Sequence, residues 1–136
     1  MKIVLDTNVL ISGIFWQGVP SEILKAWSAG KMTLCISPEI LDEYLEVSKA
    51  LSKKYPSVEI EPVLDCIARY SKMYFGVVLP APVSRDPDDD KFLACAMSAK
   101  SKVIISGDKD LLDIKTYSGI KIYSPSDFYK KYLVSS

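Results

Sequence analysis

An α/β chain with a parallel sheet layered between helices is the fold class this sequence predicts, on three observations. Short apolar runs, partly β-branched, alternate with longer segments whose apolar residues recur at helical spacing. Ser-Pro and Asp-Pro pairs mark the starts of several helical segments. Acidic residues follow the apolar runs, and in an open parallel sheet those positions all fall at the carboxyl ends of the strands. Alternation of this kind implies right-handed crossovers. At 136 residues, 49% hydrophobic and 25% charged, the chain fits a single domain over 1–136.

KIVLD (2–6) reads as the first strand, and Asp6 stands where the chain leaves the sheet for the apolar helical run VLISGIF. Ile23, Leu24 and Trp27 share the face of a second helix. MTLCIS (32–37) is the second strand, and Ser37-Pro38 opens a helix carrying Ile40, Leu41, Tyr44 and Leu45. The serine caps that helix, and the missing proline N–H sits where no intrahelical bond is due. Residues 52–61 form a polar turn, after which Val63, Leu64, Ile67, Tyr70 and Tyr74 recur at helical spacing. GVVLP (76–80) is expected to be the third strand. Asp86-Pro87 opens the helix containing FLACAM, KVIIS (102–106) is the fourth strand and IKIYS (120–124) the fifth. Ser124-Pro125 starts the last helix, with Asp127 completing a box-like cap.

Composition narrows the chemistry. Seventeen basic and seventeen acidic residues leave no net charge, so a polyanionic partner must be held by a local patch or through metal. Histidine is absent, which excludes Ser/His triads, imidazole general bases and imidazole-ligated zinc. Cys35, Cys66 and Cys95 are isolated in apolar surroundings and are expected to be reduced core thiols, which favours a cytoplasmic location. Neither a signal peptide nor a membrane span is expected, because the first apolar residues are interrupted by Asp6 and Asn8.

Four acids stand out by position: Asp6, Glu43, Asp90 and Asp108. Like charges at about 4 Å repel by roughly 4 kcal/mol per pair at an effective dielectric near 20, so a pocket holding them wants a cation. Oxygen-only donors point to Mg²⁺ or Mn²⁺ beside a phosphate-bearing substrate. Asp6 also suits a helix cap, and Thr7 and Asn8 are placed to hold its carboxylate by hydrogen bonds. Glu43 shares its helix with Glu39, Asp42 and Glu46, a cluster that a solvated acidic face also explains. It lies on the second turn, and helical side chains lean toward the N-terminus, over the strand ends. In DPDDD, Asp86 and Asp88 need no role beyond capping and dipole, while helical phase does not separate Asp90 from Asp89. Asp108 comes off the fourth strand beside Ser106, whose hydroxyl can join the same pocket, and a Gly-Asp turn accounts for Asp110.

LDTNVLISG at the start, DDKFLACA in the middle and ISGDKDLL after the fourth strand together resemble the PIN-domain ribonucleases, and within them the VapC-like toxins of toxin-antitoxin pairs. The likeness runs from Lys2 to about Tyr132. It implies a three-layer α/β/α fold with a five-stranded parallel sheet in the order 3-2-1-4-5, and Mg²⁺- or Mn²⁺-dependent cleavage of single-stranded RNA. Carried over, the family's acids fall on Asp6, Glu43, Asp90 and Asp108, with Ser106 and Asp110 at accessory positions. Asp6, Asp90 and Asp108 are then metal ligands and Glu43 positions the attacking water. One departure is Ser-Gly-Asp at 106–108, where many relatives have Thr-Arg-Asp. The resemblance also implies an antitoxin partner and a homodimer. Two other functions fit less of the pattern: a catalytically silent RNA- or protein-binding domain of this fold, and a haloacid-dehalogenase-type phosphatase, which normally has a second Asp where Asn8 stands.

Overall fold

A computed structural model describes residues 1–75 and 78–134. Four-residue β1 (Lys2–Leu5) and β2 (Thr33–Ile36) lie side by side in parallel, with Ile3 opposite Leu34. β4 (Val103–Ile105) flanks β1 on the other side, Leu5 opposite Ile105. These three strands are almost wholly buried, which is why they read as continuous apolar runs rather than alternating ones. β6 (Ile120–Tyr123) continues the sheet beyond β4 in parallel, and β3 (Lys72–Met73) pairs outside β2.

The sheet has six strands in the order β3-β2-β1-β4-β6-β5, the last being Thr116–Tyr117. Its five parallel strands keep the expected 3-2-1-4-5 order. The addition is β5 (Thr116–Tyr117), an antiparallel edge strand joined to β6 through Ser118 and Gly119. Both turn residues have positive φ, 48° and 81°, the conformation that a two-residue hairpin turn requires.

The third strand differs from expectation. It lies at Lys72–Met73, and the described residues Val78 and Leu79 of GVVLP carry no strand, while Gly76 and Val77 lie outside the described residues. The helix before it, α4 (Glu61–Tyr70), ends at Tyr70, so Tyr74 belongs to the strand's exit: its amide bonds to the carbonyl of Ile36 at 2.7 Å.

Two of the remaining helices start where the caps foretell, while Asp86-Pro87 opens a 3₁₀ turn and the helix expected there begins only at Asp90. Ser37 accepts from the amide of Ile40 at the head of α3 (Pro38–Lys54), and Ser124 accepts from Asp127 at the head of α7 (Pro125–Phe128). α1 (Thr7–Phe15) and α2 (Val19–Ser28) meet so closely that a Cβ on Gly13 would lie 2.9 Å from the carbonyl oxygen of Pro20. α5 (Asp90–Ala99) packs across β1, β2 and β4, with Phe92, Leu93, Cys95 and Ala96 buried. A short α6 (Lys109–Leu112) follows β4. The result is a three-layer α/β/α fold. Cys35 and Cys95 are core thiols as expected, the latter pushed up to about 12 by burial, but Cys66 is exposed on α4. Leu64 and Ile67 form the buried face of α4, and Cys66 lies off that face, on the wall of surface grooves it shares with Trp27 and Ser28. Among the described residues no helix is long and apolar enough to cross a membrane.

Candidate active site

In this strand order the sequence reverses direction between β1 and β4, and the crevice beyond their carboxyl ends is where open α/β sheets bind ligands. Asp6 follows β1 directly, and Ser106, Gly107 and Asp108 follow β4. The register aligns them: the Asp6 amide donates to the carbonyl of Ile105 at 2.9 Å.

Asp6 is 4% exposed. Its Oδ2 accepts from the Ser106 hydroxyl at 2.6 Å, and its Oδ1 from the backbone amide of Asn8 at 3.4 Å. Asp6 therefore caps α1 and faces the crevice at once. The same Ser106 hydroxyl accepts from the amide of Asp108 at 2.9 Å, so one buried side chain ties the Asp6 carboxylate to the backbone of Asp108, whose own Oδ1 accepts from the Asp110 amide at 2.9 Å. Burial raises the Asp6 pKa above the ordinary carboxylate range, the Ser106 and Asn8 bonds oppose that rise, and the charges of Asp108 and Glu43 add to it.

Thr7 and Asn8 act otherwise than expected. The Thr7 hydroxyl donates to Glu43 Oε2 instead of Asp6, and the Asn8 side chain is exposed, its contribution being the backbone amide. Glu43 also receives Lys91 at 2.8 Å through Oε1, and Lys91 reaches Asp88 at 3.1 Å. With a side chain only 15% exposed, Lys91 is a pinned counter-ion, not a solvated charge. Asp42 and Glu46 take no part in these bonds.

Asp89, and not Asp90, turns toward Asp6 and Asp108. The chain enters α5 through a 3₁₀ turn, Pro87–Asp89, started by Asp86 accepting from the amide of Asp88 at 3.0 Å. A 3₁₀ turn advances three residues per turn, so the phase of the following helix does not extend back through it. Asp89 consequently points inward, 9% exposed, with Oδ2 buried and without a hydrogen-bond partner. Asp90 leans back along its helix, and its two oxygens accept from the amides of Val83 at 3.1 Å and Ser84 at 2.8 Å. It anchors the strap, residues 78–86, that leads into α5.

Asp89, Asp108 and Asp110 each offer an oxygen within 4.8 Å of the others. Desolvation first, then the charges of Asp108 and Asp6, lift the Asp89 pKa to about 7. Asp110 is held on its outer side by Arg85, whose Nε stands 3.0 Å from Oδ1 and whose Nη2 reaches Asp113 at 2.6 Å. A buried carboxylate oxygen with no hydrogen-bond partner, in an all-oxygen set where the Asp108 charge helps to raise the pKa of Asp89, fits a hard dication such as Mg²⁺ or Mn²⁺.

The family model described as PIN domain matches residues 2–110. The chain belongs to the PIN domain family. That match takes in β1 through β4 and the start of α6, hence Asp6, Glu43, Asp89, Asp90, Asp108 and Asp110, and gives the crevice the setting of a nuclease-type fold. An uncharacterized protein of Methanocaldococcus jannaschii, MJ1680, is similar along nearly its whole length: 31% identical over 147 aligned positions, covering 97% of this chain and 92% of the relative. No solved structure gives a significant match. Of the features that complete this PIN site, the inward turn of Asp89 and the clamps by Lys91 and Arg85 were not foreseen. The doubled aspartate at 89–90 was the one signal available for the first, and long-range pairs such as Lys91 with Glu43 leave none.

Proposed function

We propose that this PIN domain is a divalent-metal-dependent endoribonuclease cleaving single-stranded RNA. The observation that carries the reading is the orphaned oxygen of Asp89 beside Asp6, Asp108 and Asp110 at the switch point of the sheet. Asp6, Asp89 and Asp108 would hold the ion, with Asp110 at the outer edge. When bound, Mg²⁺ or Mn²⁺ offsets the charge that builds on a phosphodiester under attack and acidifies water. Ser106 ties the Asp6 carboxylate to the backbone of Asp108. Glu43, oriented by Thr7 and Lys91, would position the attacking water. Asp90, the acid assigned from the family resemblance, serves this site through the strap, which it holds over the head of α5.

The finer role is that of a toxin restrained by an antitoxin, acting in the cytoplasm as a homodimer. Support comes from the family resemblance and from the sheet edge at β3, where Tyr70 and Phe75 are 71% and 78% exposed and Met73 is exposed beside them. Apolar side chains on an unpaired edge strand are a liability in a monomer and an asset at an interface.

The test is cleavage of a panel of single-stranded RNAs with Mg²⁺ or Mn²⁺, with chelator, and with Asp6→Asn. Cleavage by the wild type alone, and only with the ion, is expected. Equal cleavage in all three arms rejects the reading.

A further inference from the structure

We propose that Arg85 is a phosphate-contacting residue at the rim of the carboxylate cluster, parked on Asp110 and Asp113 in the free protein and passed to the RNA backbone when a strand binds. This role presupposes the ribonuclease reading and adds to it the group that grips the strand.

Arg85 Nε touches the carboxylate of Asp110, which is itself within 4.8 Å of Asp89 and Asp108. The guanidinium is therefore one carboxylate away from where the scissile phosphodiester must lie. Its ion pairs engage Nε and Nη2 of a group with five donors in a planar fork, the shape that matches a phosphate. The side chain is 61% exposed and that of Asp113 is 49% exposed. Ion pairs this open to solvent are weak, so exchange of a carboxylate for a phosphate carries little penalty.

The root of the side chain, by contrast, is fixed. Ser84, the preceding residue, is buried, and its amide is bonded to Asp90. On the opposite flank Lys91 is enclosed between Glu43 and Asp88. With no net charge on the chain, a polyanion gains nothing from a global field and must be caught by local cations. Of the two cations ion-paired at this site, Arg85 is anchored, exposed and exchangeable where Lys91 is enclosed.

A purely structural role predicts something different: that Arg85 ties the strap to the turn after α6. Asp113→Asn separates the two. A tether is weakened by losing either partner, whereas a phosphate-binding arginine is released for its ligand when Asp113 is neutralised. Binding of a labelled short single-stranded oligoribonucleotide is followed by fluorescence anisotropy in an Asp6→Asn background with Mn²⁺, across a salt series, with melting temperatures recorded alongside. Arg85→Gln is expected to weaken binding about three- to tenfold, the range of one exposed charge-assisted hydrogen bond. It should also reduce the slope of log affinity against log salt by about 0.7, the value for one phosphate of a single strand. Asp113→Asn should bind as tightly as its parent or more tightly, and with Asp6 intact Arg85→Gln should act on KM more than on kcat.

Unchanged affinity and slope for Arg85→Gln overturn the assignment. So do parallel losses of affinity and melting temperature in both variants. If the wild type neither binds nor cleaves RNA, the ribonuclease reading falls and takes this role with it; if it does both while Arg85→Gln is indifferent, only the role of Arg85 falls.

Discussion

Replacing Asp89 by asparagine removes the most strained titration in the crevice while keeping the side chain's shape, and its effect on stability follows from the native pKa. In the metal-free protein Asp89 titrates at about 7, against 3.8 for the unperturbed group. Between those values the folded chain holds a proton that the unfolded chain has released, so folding stability falls as pH rises and levels off above the native value. From about pH 5.5 to about pH 8, one and a half pH units at about 1.4 kcal/mol each cost about 2 kcal/mol. The raised pKa of Asp6 acts in the same direction. For a chain of this size that corresponds to a melting temperature lower by about 6 to 8 °C at the higher pH. Calorimetry in chelator should show this fall in the wild type and a much smaller one in Asp89→Asn, which should be the more stable of the two near pH 8. Adding Mn²⁺ should restore the wild type at that pH, because a ligand that binds only the folded state stabilises it by mass action. Asp89→Asn should respond weakly to the ion. A wild-type melting temperature that rises between these pH values, or an Asp89→Asn variant retaining the full wild-type slope, would refute the electrostatic account of the crevice.

Ser106→Ala removes the donor to Asp6 and the acceptor of the Asp108 amide together; denaturant titration should show a loss of about 1.5 to 3 kcal/mol, and calorimetric titration a weaker Mn²⁺ affinity. Asp90→Ala frees the amides of Val83 and Ser84 and should cost about 2 kcal/mol of stability, while Mn²⁺ affinity changes by less than about twofold, the opposite of the Asp89→Asn result. Gly13→Ala would place a Cβ 2.6 Å from Leu24 Cδ1 and 2.9 Å from the Pro20 carbonyl. The leucine can move but the backbone carbonyl cannot, so about 1 to 3 kcal/mol should be lost by denaturant unfolding.

The fold was legible where local chemistry and burial agree. Ile3, Val4 and Leu5, or Val103, Ile104 and Ile105, are β-branched or bulky and buried on both faces, so the strand they form is visible as an uninterrupted apolar run. Ser37, Asp86 and Ser124 act through bonds to amides two or three residues on, which a sequence records directly. β3 failed this test because its two residues, Lys72 and Met73, are both exposed. Hydrogen bonds to β2 alone make it a strand, and GVVLP, with the stronger β propensity, lies just beyond. The hairpin of β5 and β6 hid for a related reason: Thr116–Tyr117 is too short to show a period.

The same division runs through the crevice. Asp6, Ser106 and Asp108 were legible because they depend on where strands end, and strand ends are local. The choice between Asp89 and Asp90 was not, since it turns on one 3₁₀ turn fixed by Asp86 and on a strap whose amides need a carboxylate. Two adjacent aspartates answer two demands that compete for one helix start: Asp90 satisfies backbone donors that folding would otherwise bury unpaired, and Asp89 is left facing like charges with its Oδ2 buried and without a partner. A fold selected for stability alone would not keep the second acid ionisable beside Asp6 and Asp108, because its charge makes the metal-free protein weaker as pH rises. That cost, set against the satisfied Asp90 one residue away, is the physical reason to read Asp89 as held for a cation.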